Sequence, residues 1–205
     1  MTRLGWILLL AFVVVIGGFT LMVKKGGGVT SSPQVASSPQ ASASAPAQQL
    51  APAAAAMPAG GGLIIPVAGV TPDKLTDTWG DARGDGTRQH HAIDIMAPRG
   101  TPVLAAAAGT VEKIFESKNG GHTIYIRRTD NGWQDYYAHL DSYAPDLREG
   151  LVVKQGQQIG QVGSTGDASP DAPHLHYEIH QMAPGDGWWK GTELNPYPIL
   201  KSLPG

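Results

Sequence analysis

The chain has 205 residues, no cysteine and a formal net charge of −2. Without cysteine it has neither a disulfide framework nor a thiolate metal ligand. All 17 acidic residues lie beyond residue 62, while Arg3, Lys24 and Lys25 lie before it, so residues 63–205 carry a formal balance of −5. A net acidic region without a basic run argues against nucleic acid as a partner.

The first element is Leu4 to Val23, 20 uncharged and mostly apolar residues. As a helix rising about 1.5 Å per residue it would span roughly 30 Å of hydrocarbon. It is long for the apolar part of a cleavable signal, and no A-x-A site follows it, so residues 1–25 are read as a single-pass membrane anchor, with a cleaved signal as the alternative. Charge does not orient it: Arg3 and the amino terminus on one side are matched by Lys24 and Lys25 on the other. Residues 26–62 are almost wholly Gly, Ala, Ser, Pro and Gln and carry no charge. Such a segment cannot bury enough apolar surface to offset its ordering entropy, so it is expected to be a disordered tether with a typical span of roughly 30–36 Å.

Residues 63–205 suffice for one domain. Gly and Pro punctuate short runs of strand-forming residues, predicting strands over Val103–Ala107, Thr110–Phe115, His122–Arg127, Gln134–Leu140, Gln158–Val162 and His174–His180. No helical segment of a dozen periodic residues interrupts them, and the expected class is all-β. Six of these runs carry the domain, and all seven histidines lie between His90 and His180.

Three histidine segments stand out. In His90-His91-Ala92-Ile93-Asp94 an extended chain would hold residues 90 and 94 roughly 13 Å apart, too far to share an ion. Pro98 and the missing helical period exclude a helix, so His90 is placed on a bend entering a strand that carries Asp94, with Gly80–Gly86 as the approach loop and His91 as the rival ligand. Trp133 to Leu140 alternates and ends near His139; strict alternation puts Trp133, Asp135, Tyr137 and His139 on one face, reaching the cleft of His174. In His174-Leu175-His176-Tyr177-Glu178-Ile179-His180 the alternation is unbroken, with Leu175, Tyr177 and Ile179 toward a core and His174, His176, Glu178 and His180 opposite. Glu178 and His180 read as surface groups or as partners of a ligand. Trp188 and Trp189, between Gly187 and Gly191, belong to a loop that either walls the cleft or covers the core edge.

H-H-A-I-D followed by A-P-R-G-T-P-V, then Y-A-H-L, G-Q-Q-I-G-Q-V-G-S-T-G and H-L-H-Y-E-I, in this order from about Ile65 to Pro196, resemble the lysostaphin/LytM-type zinc metallopeptidases that cut peptide bonds in peptidoglycan. The resemblance implies antiparallel sheets of the duplicated hybrid motif type, forming a groove with one zinc at its floor. It implies His90, Asp94 and His176 as zinc ligands and His139 and His174 as the catalytic histidines. Two departures are visible. Ala92 stands where the family usually has Gly, and Gly80–Gln89 lacks the Tyr that some members place before the first ligand, leaving Arg83 or Arg88 as candidates for its role. The implied substrate is the peptidoglycan stem-peptide cross-link, which requires residues 63–205 to lie outside the cytoplasm. The alternatives are a non-hydrolytic wall-binding or amidase-activating module and a zinc peptidase for glycine-rich peptides.

Overall fold

The computed structural model describes residues 62–204. The apolar segment Leu4 to Val23 and the linker lie outside the described residues, and no helix among those described is long and apolar enough to cross a membrane.

The described chain is antiparallel β. A small hairpin pairs β1 (Ala82–Arg83) with β2 (Arg88–Gln89). Nine further strands make one sheet: β3 (Ile93–Met96), β4 (Pro102–Leu104), β5 (Gly109–Ser117), β6 (Gly121–Arg128), β7 (Trp133–Tyr143), β8 (Val152–Val153), β9 (Gln158–Val162), β10 (His174–Gln181) and β11 (Thr192–Leu194). Its main path runs β11-β10-β7-β6-β5-β8, with β3 on β10, β9 on β7 and β4 on β9. A short α-helix, α1 (Pro196–Lys201), follows β11, with the Asn195 side chain accepting from the Tyr197 N–H as its cap.

The predicted strands appear with shifted ends. The β5 to β7 strands are longer than periodicity indicated, because hydrogen bonding to both neighbours carries them past the apolar positions. Strands β1, β2, β8 and β11 hold only two or three residues each, too short to show a period. The Gly80–Gly86 run is not a plain loop, since β1 lies within it.

Alternation explains which face each residue of β10 takes. Leu175, Tyr177 and Ile179 are fully buried with Ile93 and Ile95 of β3 and Tyr137 of β7. On β7 the rule fails at one residue. His139 lines the cleft with His174 and His176, as expected, but Trp133, Asp135 and Tyr137 do not share its face and are buried in the core. The φ of His139 is +59°, in the left-handed region, and the pairing of β7 with β6 shifts register across it, between Tyr137 and Leu140. A bulge therefore re-aims one side chain, and the strict alternation expected from the sequence is corrected there.

Beneath β6 and β7 the core holds a charge pair. Arg128 Nε and Nη2 lie 2.9 and 2.5 Å from the two oxygens of Asp135, and the Tyr177 hydroxyl donates to Asp135 Oδ1 at 2.6 Å. Removing one partner of such a pair strands a buried charge. Asp135→Ala is expected to lower stability by about 3–5 kcal/mol, measured by urea unfolding. A loss below about 1 kcal/mol would show that this pair is not what holds β6, β7 and β10 together.

Candidate metal centre

The centre is built from strand register. His176 on β10 pairs with Asp94 on β3 and with Ala138 on β7, so Asp94 and His176 are direct cross-strand neighbours. His90 arrives from the bend after β2. Its backbone N–H donates to Asp81 O at 2.9 Å and its carbonyl accepts from Gly80 N–H at 2.8 Å, which ties the bend to the approach segment. His90 Nε2 then lies 3.0 Å from Asp94 Oδ1 and 3.0 Å from His176 Nδ1, and the remaining edge, His176 Nδ1 to Asp94 Oδ1, is 3.3 Å.

Outer partners decide which nitrogen of each ring faces inward. His90 Nδ1 donates to Thr78 O at 2.8 Å, leaving Nε2 at the centre. His176 Nε2 donates to Glu178 Oε1 at 2.8 Å, leaving Nδ1 at the centre. A third inward atom, Asp94 Oδ1, is buried and makes no hydrogen bond of proper geometry with either ring. Three possible ligand atoms thus converge, and among the described residues this trio is the one that could hold a metal ion. Two donors each about 2.0–2.1 Å from one tetrahedral ion lie about 3.3 Å apart, so the triangle has the size that one zinc requires. Burial works against the Asp94 carboxylate, but the two imidazoles outweigh it and hold this carboxyl well below its usual range. Burial likewise works against a charged His176, yet the Glu178 and Asp94 carboxylates lift it to about 9. In the absence of metal this ring holds a proton, which an entering cation displaces.

The supporting shell was only partly visible in the sequence. Glu178, a few ångströms along β10, bridges His176 and His180, with Oε2 2.6 Å from His180 Nε2. Both hydrogen bonds draw the Glu178 carboxyl down to about 2 in spite of its burial. Thr78 gave no signal at all: its carbonyl orients His90 and its hydroxyl accepts from the Asp94 backbone N–H at 3.0 Å. His91, the rival ligand, is exposed and stacks on Trp79 with ring centroids 5.2 Å apart.

Two further histidines border the trio. His139 Nδ1 donates to Thr165 O and His174 Nδ1 to Ala172 O, both at 2.8 Å, so each ring keeps Nε2 for the cleft. Their centroids are 5.0 Å apart, and His174 Nε2 is 3.7 Å from Asp94 Oδ1. Burial pushes the His139 imidazole down to about 4, so the ring is neutral at ordinary pH. Thr165 is placed by a close approach of two turns at Gly121 and Gly166, where both residues have positive φ and a Cβ on either would overlap the opposing turn.

Arg83 and Arg88 reach the same cleft from the β1–β2 hairpin. Arg83 Nη2 is 2.6 Å from Asp94 Oδ2, the oxygen turned away from the trio, and Arg88 Nη2 is 3.3 Å from Asp167 Oδ2 across the opening. Tyr136, which the sequence reading passed over, also lines the cleft and meets His176 edge-on at 6.0 Å.

Comparison with known proteins agrees with this arrangement. Residues 88–196 match the model of peptidase family M23. The L-Ala–D-Glu endopeptidase of Bacillus subtilis is 39% identical over 131 residues, covering 61% of this chain and 39% of the relative. The DD-carboxypeptidase/endopeptidase Mpg of Neisseria meningitidis is 44% identical over 119 residues, covering 57% of this chain and 24% of the relative. The chain thus spans well under half the length of these curated relatives. Among solved structures, the catalytic domain of lysostaphin from Staphylococcus simulans superposes with a TM-score of 0.53 at 32% identity, covering 63% of this chain and 92% of that domain. The chain belongs to peptidase family M23, a family of zinc metallopeptidases.

Proposed function

We propose that the protein is a zinc endopeptidase that hydrolyses peptide bonds in peptidoglycan stem-peptide cross-links. The observation that carries this reading is the convergence of His90 Nε2, Asp94 Oδ1 and His176 Nδ1 beside two further histidines in an open cleft. His90, Asp94 and His176 are the zinc ligands in this reading, at the floor of the groove, and His139 and His174 are the catalytic pair. Relatives named L-Ala–D-Glu endopeptidase and peptidoglycan DD-endopeptidase support the substrate class.

When bound, zinc supplies Lewis acidity, polarising a carbonyl and acidifying water. The chain's own residues do the rest. Thr78 and Glu178 fix the ring tautomers that turn His90 Nε2 and His176 Nδ1 inward. His139 and His174, each with Nδ1 committed to a carbonyl, present Nε2 to the reacting atoms. Together they take up the proton of the attacking water and hydrogen-bond the oxygen of the tetrahedral intermediate. Arg83, held by Asp94 Oδ2, sets the orientation of that carboxylate from outside.

The reading extends to place. Leu4 to Val23 acts as the anchor and residues 26–62 as the tether, so that the catalytic domain works outside the cytoplasm on nearby wall; the apolar length and the linker composition support this. Incubating the purified protein with intact sacculi, with and without chelator, and weighing the released fragments by mass spectrometry tests the activity. Chelator-sensitive release of peptide-cleaved fragments is expected, and intact sacculi in both arms would refute it.

Metal content tests the ligands. Wild type is expected to hold close to one zinc, Asp94→Ala and His176→Ala to lose most of it, and His90→Ala to lose it while His91→Ala retains it. Glu178→Ala is expected to bind zinc about 10- to 100-fold more weakly, since the His176 ring loses its orienting acceptor. Undiminished zinc in the Asp94 and His176 variants, read by atomic emission, would remove them from the site.

His139→Ala and His174→Ala separate binding from chemistry. Both are expected to keep their zinc and to lose hydrolysis by about 100-fold or more, measured as initial rates on soluble cross-linked fragments. Near-normal rates in either variant would strike that residue from the mechanism.

A further inference from the structure

Along the sheet face that carries His176 and Glu178, aromatic rings continue outward from the metal centre. Tyr136 on β7 meets His176 at 6.0 Å, Tyr125 on β6 meets Tyr136 at 4.5 Å, and Trp188, from the loop between β10 and β11, meets Tyr125 at 5.1 Å and Phe115 of β5 at 5.5 Å. At the far end Trp189 stands 66% exposed and Phe115 41% exposed. Neither ring is explained by the core.

The exposed indole is held in place. Gly187 lies directly under it, and a Cβ there would sit 2.5 Å from Trp189 Cζ3 and 2.6 Å from Cη2. The loop is pinned at its base, where Asp186 Oδ2 accepts from Ala183 N–H and Asp186 O accepts from Arg127 Nη2. A large aromatic ring kept in water by an ordered loop, continuous with a substrate cleft, is the arrangement of a recognition surface rather than of packing.

We propose that the Trp189–Phe115 end of this face is a subsite for an N-acetylated sugar ring of the glycan strand, the part of the substrate from which the peptide hangs. This rests on the peptidoglycan reading above. Three strand spacings separate β10 from β5, roughly 14 Å at about 4.8 Å each. An extended peptide advances about 3.3–3.6 Å per residue, so about four residues bridge that gap. A peptide of stem length, with its scissile bond at the metal centre, thus lays its sugar over Trp189. The C–H face of a pyranose is apolar and electron-poor and stacks on the negative face of an indole, while the hydroxyl and acetamido groups stay in water.

Two experiments on the full-length protein decide the matter. In the first, cross-linked peptide dimers bearing their disaccharides and the same dimers stripped of sugar are hydrolysed by wild type, Trp189→Ala and Gly187→Ala, the last moving the indole without removing it. Wild type is expected to show the lower KM on the sugar-bearing dimer at equal kcat. Both variants are expected to raise that KM about five- to tenfold, the size of one aromatic stacking contact, and to leave the sugar-free kinetics unchanged. Equal kinetics on both substrates in wild type, or equal losses on both in the variants, overturns the subsite. In the second, the peptide-free disaccharide of N-acetylglucosamine and N-acetylmuramic acid is titrated in and followed by saturation-transfer NMR. Transfer in wild type that is absent in Trp189→Ala is expected; no transfer, or transfer unchanged in the variant, overturns the proposal and leaves the patch to a protein partner. If wild type cleaves neither dimer, the peptidase reading fails, and the titration still judges the sugar subsite by itself.

Discussion

His176 is held between two carboxylates, Asp94 across the sheet and Glu178 two residues along its own strand, and the rest of the site depends on that clamp. An imidazole free to rotate would present either nitrogen to the cleft. Glu178 takes one of them and the β3–β10 register sets Asp94 against the other, so a single tautomer faces His90. The core supplies the rigidity: Tyr177, next to His176, is fully buried and bonded to Asp135, which in turn is locked to Arg128. Fold stability and ligand geometry therefore share one strand, with its apolar face holding it in place and its polar face holding the donors.

The two flanking histidines are placed by a different device. His174 follows from the same alternation as His176, but His139 requires a left-handed backbone and a shift of register. Non-glycine residues rarely adopt that conformation, and where they do, the surrounding structure over-determines it. Here the Thr165 carbonyl, brought in by the close approach of Gly121 and Gly166, supplies the constraint.

Legibility in the sequence followed from these differences. Period-two patterning exposed β10, β7 and β9 and the class of the fold, because their apolar residues face one core. The bend at His90 was legible from distance alone, since a straight strand could not bring residues 90 and 94 together. That His139 reaches the cleft was legible, but that it does so apart from Trp133, Asp135 and Tyr137 was not, because a bulge leaves no mark in a hydrophobic pattern. Thr78 escaped because it acts through a carbonyl and one hydroxyl, groups that its residue type does not advertise. Tyr136 escaped because its neighbour Tyr137 is the same residue type, and only the structure separates the ring that meets the cleft from the ring that fills the core.

Whether outer hydrogen bonds select the donor atoms around one ion is read by long-range proton–nitrogen correlation spectra of the histidine rings in the zinc-loaded protein. Metal-bound shifts are expected at His90 Nε2 and His176 Nδ1, and unbound Nε2 signals at His139 and His174. A metal-bound shift at the other nitrogen of His90 or His176, or on the ring of His91, His139 or His174, would contradict that selection.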